Sequence, residues 1–349
     1  MKLNNSNRYG TPIAICLGII LILGYYYFFS SLSTKSETTY LYIDEDDNID
    51  SVYTKLDRIA NKHAMTGFRT LVRHCCSYSE NIKTGRYAIE PSNGAFTVFR
   101  HLKNGMQTPI NLTIPSVRTL DRLTEEIGKR LMMDGDELLD SLTNEKNCTK
   151  YGYDTASVIC MFIPNTYDIY WNISIGKFFD RMQKESNKFW NEERTQKAKA
   201  LGLTKTDVIT LASIVEEETA NDSEKPMIAG MYYNRLKFRN AEYPKGMPLQ
   251  ADPTIKFALK QFELKRIYHN MLNINSPYNT YRYEGLPPGP IRIPTVVGID
   301  AVLNLVHHPY LYMCAKEDFS GTHNFARTYQ EHLQNAARYS KALNDRGIK

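Results

Sequence analysis

The sequence predicts an α+β protein: a single N-terminal transmembrane helix, a small α+β module, then an α+β region carrying its principal acid on a helix. Three observations lead there. An uncharged apolar run occupies Ile13–Phe29, strand and helix signals alternate over residues 38–107, and helical periodicity dominates afterwards, with a proline-rich loop late in the chain. At 349 residues, 42% hydrophobic and 23% charged, the chain is long enough to bury a sizeable core in two domains.

"IAICLGIILILGYYYFF" is close to the roughly 17–20 residues that span a bilayer as a helix. A cleaved signal peptide is the competing reading, but the run ends in Tyr25, Tyr26, Tyr27, Phe28 and Phe29, an interfacial belt rather than a small-residue cleavage site. The expectation is an uncleaved single-pass anchor in the cytoplasmic (inner) membrane, over residues 13–29. Residues 1–12, bearing Lys2 and Arg8, would lie in the cytoplasm and the remainder outside it. Those two cations supply part of the net charge of +5, leaving too little basic excess to suggest nucleic acid.

Residues 30–37, "SSLSTKSE", read as a polar linker. "TTYLYID" reads as a strand and "NIDSVYTKLDRIANKH" as an amphipathic helix with Ile49, Val52, Leu56 and Ile59 on one face. Strand, helix and strand signals follow around Gly85, Gly94 and Gly105, closing a module at residues 38–107. Residues 108–200 read as helical, with Leu120, Leu123, Ile127 and Leu131 on one face and a further helix from Ile175 to about Leu201. The six cysteines include no CxxC pair, so neither a metal site nor a disulfide framework is expected, although Cys148 and Cys160 could close a loop.

Chemistry concentrates in residues 201–346. Thr204 and Asp207 form a capping box, and "TLASIVEEETA" follows in helical register. Glu218 lies on the stripe of Leu211, Ile214 and Val215, whereas Glu216 and Glu217 flank it. A carboxyl on an apolar face holds its proton toward neutral pH, the property of a general acid. The alternative is a helix that frays after Val215 and leaves all three acids in water. In "MPLQADPT", Gln250 and Asp252 alternate with Leu249 and Ala251 as in a strand, presenting two polar groups on one side. "SPYNTYRYEGLPPGPIRIP" is a stiff loop in which Tyr278, Asn279, Thr280, Tyr281 and Tyr283 mix stacking and hydrogen-bonding groups suited to sugars. His323 precedes the last helix, and His307 and His308 read as loop residues.

"LASIVEEET", "YYNRL", "MPLQADPT", "SPYNTYRYEGLPPGPI" and "YLYMCAKEDFSGTHNF", in that order, resemble the YceG-like endolytic murein transglycosylases, the MltG family, over about 145 residues from Leu201 to Asp345. "GRY" at Gly85–Tyr87 and "LKNGMQ" at Leu102–Gln107 resemble that family's LysM-like domain. The sequence departs from the family pattern at "RIPTVVG", and residues 109–200 match loosely. The resemblance implies cleavage of the β-1,4 bond between N-acetylmuramic acid and N-acetylglucosamine inside peptidoglycan strands, leaving 1,6-anhydro ends, with Glu218 as the acid. Asn234, Gln250, Asn279 and Tyr281, with Thr280, would hold the sugar, and Asp252 and His323 would organise the groups around the acid. No cofactor or metal is implied; peptidoglycan synthases are the implied protein partners, and termination of strand growth is an implied role. A muramidase-type hydrolase using Asp252, and a catalytically silent glycan-binding scaffold, are the alternatives.

Overall fold

The computed structural model describes residues 10–264 and 266–347, the side chain of Cys76 excepted; the N-terminal tail through residue 9 lies outside the described residues. Two compact units result. The first comprises residues through 112 with 130–133 and 167–173; the second comprises 113–129, 134–166 and 174 onward.

The apolar run forms helix α1 (Gly10–Gly24), continued through Tyr25–Phe29 by a wider π-helical turn, so that twenty residues are helical without a charge and none is buried. This helix is consistent with a membrane anchor. The rest of the first unit is β1 (Thr39–Ile43), α2 (Ile49–Asp57), α3 (Lys62–His74), the short α4 (Cys76–Ser79), β2 (Gly85–Ile89), α5 (Ala95–Asn104) and β3 (Ile110–Thr113), which pairs with β4 (Thr166–Ile169). β1 and β2 are antiparallel, with Leu41 opposite Tyr87 and Ile43 opposite Gly85. Their alternate residues Leu41, Ile43, Tyr87 and Ile89 meet Val52, Leu56, Phe68, Val98 and Leu102 in one apolar core. The single amphipathic helix expected over 48–63 is two: Asn48 caps α2 in a box with Ser51, and the chain breaks at Arg58–Asn61 before α3.

Of residues 30–37, expected as a linker, Ser31, Leu32 and Ser33 pack into this core region, while residues 34–37 are exposed. Leu32 is fully buried, its N–H donates to Asn93 O at 2.8 Å, and Ser31 and Ser33 form bridges with Gly94 and Ala60. The aromatic turn seats beside them: Tyr26 stacks on His63 at 4.0 Å, and the Tyr27 backbone carbonyl occupies the space where Gly67 would carry a Cβ. Only glycine permits that approach.

The second unit contains α6 (Leu120–Gly128), α7 (Gly135–Thr143), α8 (Glu145–Lys150), α9 (Ile175–Phe189), α10 (Glu192–Ala200), α11 (Lys205–Glu218), α12 (Lys225–Lys237), α13 (Asp252–Leu259), α14 (Val296–Leu303), a hairpin of β5 (Tyr312–Ala315) and β6 (His323–Ala326), and α15 (Tyr329–Asp345). The long helix expected from Ile175 is broken at Trp190 and Asn191, where Asn191 caps α10 through the Arg194 N–H.

Helix α11 sits at the centre of this unit, packed against α10, α12, α13 and α14. Every residue from Val208 to Val215 is buried, so the helix is enclosed on all sides and not, as its stripe suggested, on one face. Thr210 and Ser213 are tolerated there because Ser213 Oγ donates to Thr210 O at 2.7 Å and accepts from the Ile291 N–H at 3.0 Å. The second bond ties the proline-rich loop to α11.

The alternating strand expected at Leu249–Asp252 is absent. Gln250 takes the left-handed conformation, φ 50°, because its N–H must reach Thr280 O at 3.0 Å, and Asp252 opens α13. Cys16, Cys75, Cys148, Cys160 and Cys314 are free thiols, so Cys148 and Cys160 close no loop.

Candidate active site

Where α11 ends, its three glutamates separate into three environments. Glu216 accepts from Lys225 Nζ at 3.0 Å and Thr295 Oγ1 at 2.9 Å. Glu217 takes a two-pronged bond from Arg118, 2.7 and 2.9 Å, and another from Arg292 Nη1 at 2.9 Å. Both are held by cations. Glu218 has no cation within bonding distance among the described residues; it accepts from the Tyr232 hydroxyl at 2.5 Å and lines a cavity of about 280 Å³.

Burial pushes Glu218 up to about 6; the Tyr232 hydroxyl pulls it down, nearby Asp252 pushes it further up, and His323 and Arg235 pull modestly down. Burial, with the Glu218 charge beside it, raises Tyr232 well above its ordinary value, so the hydroxyl stays a donor. Glu218 is thereby a carboxyl able to deliver a proton near neutral pH and to receive one back.

Four elements build the cavity. α11 supplies Glu218; α12 supplies Met231, Tyr232 and Arg235; residues 249–252 with Tyr281 form one wall; and Tyr312, Met313, Tyr329 and His332 form the other. α12 approaches the 305–311 loop closely because Gly230 leaves room for the Val306 carbonyl. Asn234 then donates to His308 O and, at 2.9 Å, to Tyr310 O, while Arg235 Nε donates to Leu311 O at 2.6 Å. Opposite, Tyr281 OH donates to Asp252 Oδ1 at 2.5 Å, and burial followed by that bond raises the Tyr281 pKa.

Of the residues singled out from sequence, Glu218, Gln250, Asp252 and Tyr281 line this cavity together. Asn234 is spent on loop carbonyls. Asn279 is fully buried and donates to Leu272 O and Ile274 O, both at 2.8 Å, bracing the loop that carries Tyr281. Thr280 Oγ1 accepts from the Ala251 N–H at 3.0 Å and meets Thr254 Oγ1 at 2.8 Å, fixing the Gln250 turn. His323 is anchored by buried Glu224, which accepts its N–H at 2.6 Å and its Nδ1 at 2.9 Å; Thr219, next to Glu218, bonds the same carboxylate at 3.4 Å. Sequence reasoning passed over Tyr232, Arg235, Tyr312, Tyr329 and His332. The signal for two of them was inside "YYNRL", where positions 232 and 235 share a helix face three residues apart. Among the described residues no cluster of His, Cys, Asp and Glu is arranged to hold a metal.

The fold resembles a solved structure, that of a putative yceG-like protein from Listeria monocytogenes, with a TM-score of 0.54 and 23% identity over 86% of this chain and 99% of that one. An endolytic murein transglycosylase of Streptococcus pneumoniae serotype 2 is 26% identical over 90% of this chain and 62% of its own length. The protein of the same name from Bacillus subtilis is 37% identical over 40% of this chain and 36% of its own. This chain therefore spans about 62% of the length of the first of these relatives. The model of the YceG-like family matches residues 41–338, a range that takes in both units and all the residues around Glu218, and the chain belongs to the YceG-like family.

Proposed function

We propose that this protein is a membrane-anchored endolytic transglycosylase of peptidoglycan, cleaving the β-1,4 bond between N-acetylmuramic acid and N-acetylglucosamine within glycan strands. One observation carries the reading: a buried carboxyl, Glu218, held at about 6 at the wall of a half-open cavity lined by tyrosines, and hydrogen-bonded by Tyr232. The names of the relatives from Streptococcus pneumoniae and Bacillus subtilis support it.

Protonated Glu218 gives its proton to the leaving glycosidic oxygen as the bond to C1 breaks. The resulting carboxylate takes the proton of the muramic acid 6-hydroxyl as O6 closes on C1, restoring the acid and leaving a 1,6-anhydro end. One carboxyl serves both transfers because the nucleophile is part of the substrate, whereas a hydrolase needs a second carboxyl for water. Gln250 and Tyr281 orient the sugar; Asn234, Asn279, Thr280 and the Glu224–His323 pair hold the walls. The order of residues 39–89, a strand, the helices α2 and α3, the short α4 and a strand, supports a LysM-like module binding the same polymer. Helix Gly10–Phe29 would hold both units at the outer face of the cytoplasmic membrane, where newly made strands emerge and cleavage would end their growth beside peptidoglycan synthases.

A muramidase-type hydrolase is the second reading, favoured by Asp252 on the cavity wall. Mass spectrometry of purified peptidoglycan digested by the protein and by Glu218→Gln separates the two. Anhydro-ended internal fragments, absent with the variant, are the expected result. Products heavier by one water would establish the hydrolase, and no cleavage by either folded protein would leave a glycan-binding scaffold.

A further inference from the structure

The cavity beside Glu218 holds a cation that the acid chemistry leaves unused. Arg235 is 7% exposed, and its hydrogen bonds all go to neutral carbonyls: Nε to Leu311 O at 2.6 Å, Nη1 to Leu249 O at 2.6 Å and to Pro248 O at 3.4 Å. Among the described residues it has no ion-pair partner, and Nη2 has no hydrogen-bond acceptor although the side chain lines the cavity. The Tyr312 ring lies 5.3 Å from the guanidinium carbon, shielding it from water. Burial pulls the Arg235 pKa below its ordinary value, opposed by the nearby tyrosines and Glu218.

A buried guanidinium without a counter-ion is unfavourable. Three carbonyls fix the plane of this one, so its remaining edge presents two N–H donors in a set direction. The neighbouring acids are otherwise engaged: Glu218 by Tyr232 and Asp252 by Tyr281. His332, facing the same space, is held below its ordinary pKa by burial and by Arg235 itself, and supplies no negative charge. The acceptor missing from the protein is an oxygen of the ligand, best satisfied by an acyl or carboxylate group.

On the reading proposed above, the ligand is a strand of two alternating amino sugars. They are alike except for the lactyl ether at O3 of muramic acid, which ends in a carboxylate or, where a peptide stem is attached, an amide carbonyl. We propose that Arg235 determines specificity by donating its free Nη2 edge to the acyl oxygen of the muramoyl lactyl group in the cavity lined by Glu218. Arg235 thus distinguishes a muramoyl sugar from plain N-acetylglucosamine and binds the free carboxylate more tightly than its neutral forms. This assignment rests on the glycan-cleavage reading.

The test uses full-length Glu218→Gln in detergent, so that strands bind without being cleaved. Calorimetry compares peptide-free strands with intact lactyl carboxylates, the same strands after reduction of the carboxyl to an alcohol, and chitin oligomers of equal length. The intact strands are expected to bind on the order of tenfold tighter than the reduced ones. Adding Arg235→Gln abolishes that difference by bringing the intact strands to the affinity of the reduced ones, and Arg235→Lys retains part of it. Equal affinity for intact and reduced strands while Arg235 is present overturns the assignment, whether or not the Gln variant folds. So does an Arg235→Gln loss shared equally by all ligands. Cleavage by the unaltered protein combined with either result refutes this role alone; no cleavage and no binding of any strand refutes the glycan reading with it.

Discussion

Replacing Glu218 with Gln should stabilise the protein in a pH-dependent way. The carboxyl at about 6 stands roughly 1.5 pH units above its ordinary 4.5, which at ~1.36 kcal/mol per unit amounts to ~2 kcal/mol. Below pH 4.5 the group is protonated in both native and unfolded chains, and its favourable contribution is fully present. Between 4.5 and 6 the native state alone keeps the proton, so stability falls as pH rises; above 6 the whole contribution is lost. Gln carries no charge at any pH and its amide oxygen can still accept from Tyr232. The stability of Glu218→Gln relative to the unaltered protein should therefore climb by ~2 kcal/mol from pH 4 to pH 8, most of it between 4.5 and 6. Urea unfolding of the full chain in detergent, followed by circular dichroism at several pH values, reads this directly. A flat difference across that window, or one that falls with pH, would falsify the claim that the acid is poised by burial.

Three further outcomes follow from the same geometry. Tyr232→Phe removes the donor that pulls Glu218 down, so the alkaline limb of the pH–rate profile should move up by roughly one pH unit, measured on soluble glycan strands. Glu217→Gln leaves Arg118 and Arg292 without their shared counter-charge and should cost about 1–3 kcal/mol in urea unfolding; the KM for strands should not move, since Glu217 does not line the cavity. Gly67→Ala puts a methyl group against the Tyr27 carbonyl, and hydrogen exchange should show the Leu32 and Thr34 amides, now bonded to Asn93 and Ile59, losing protection.

What could be read from the sequence was what neighbours in the chain decide. The Thr204–Asp207 box follows from residues three positions apart. The stripe through Leu211, Ile214 and Val215 selected the glutamate that reaches the cavity, although the helix turned out to be enclosed on every side. The left-handed turn at Gln250 escaped, read instead as strand, because it is imposed by Thr280, far along the chain. Arg235 escaped for the same reason: nothing local shows that its partners are the carbonyls of Leu249 and Leu311 and that no acid accompanies them. Asn279 illustrates the converse error, an amide in a sugar-binding setting that is consumed by its own loop.

The docking of Tyr25–Phe29 and Leu32 onto the first unit bears on reach. A tethered enzyme on a slack leash samples a hemisphere whose radius grows with the square root of the linker length. Here the polypeptide passes from apolar helix to folded core with Ser31, Leu32 and Ser33 already bonded in place, so there is no slack to pay out. With α1 in a bilayer, as proposed above, the helix would act as a mast, fixing both the height of the first unit and the face it turns toward the lipid. Any polymer that this unit grips is then met at a set altitude, and lengthening the chain between Phe29 and Leu32 by a flexible insert would trade that fixed working height for a broad distribution.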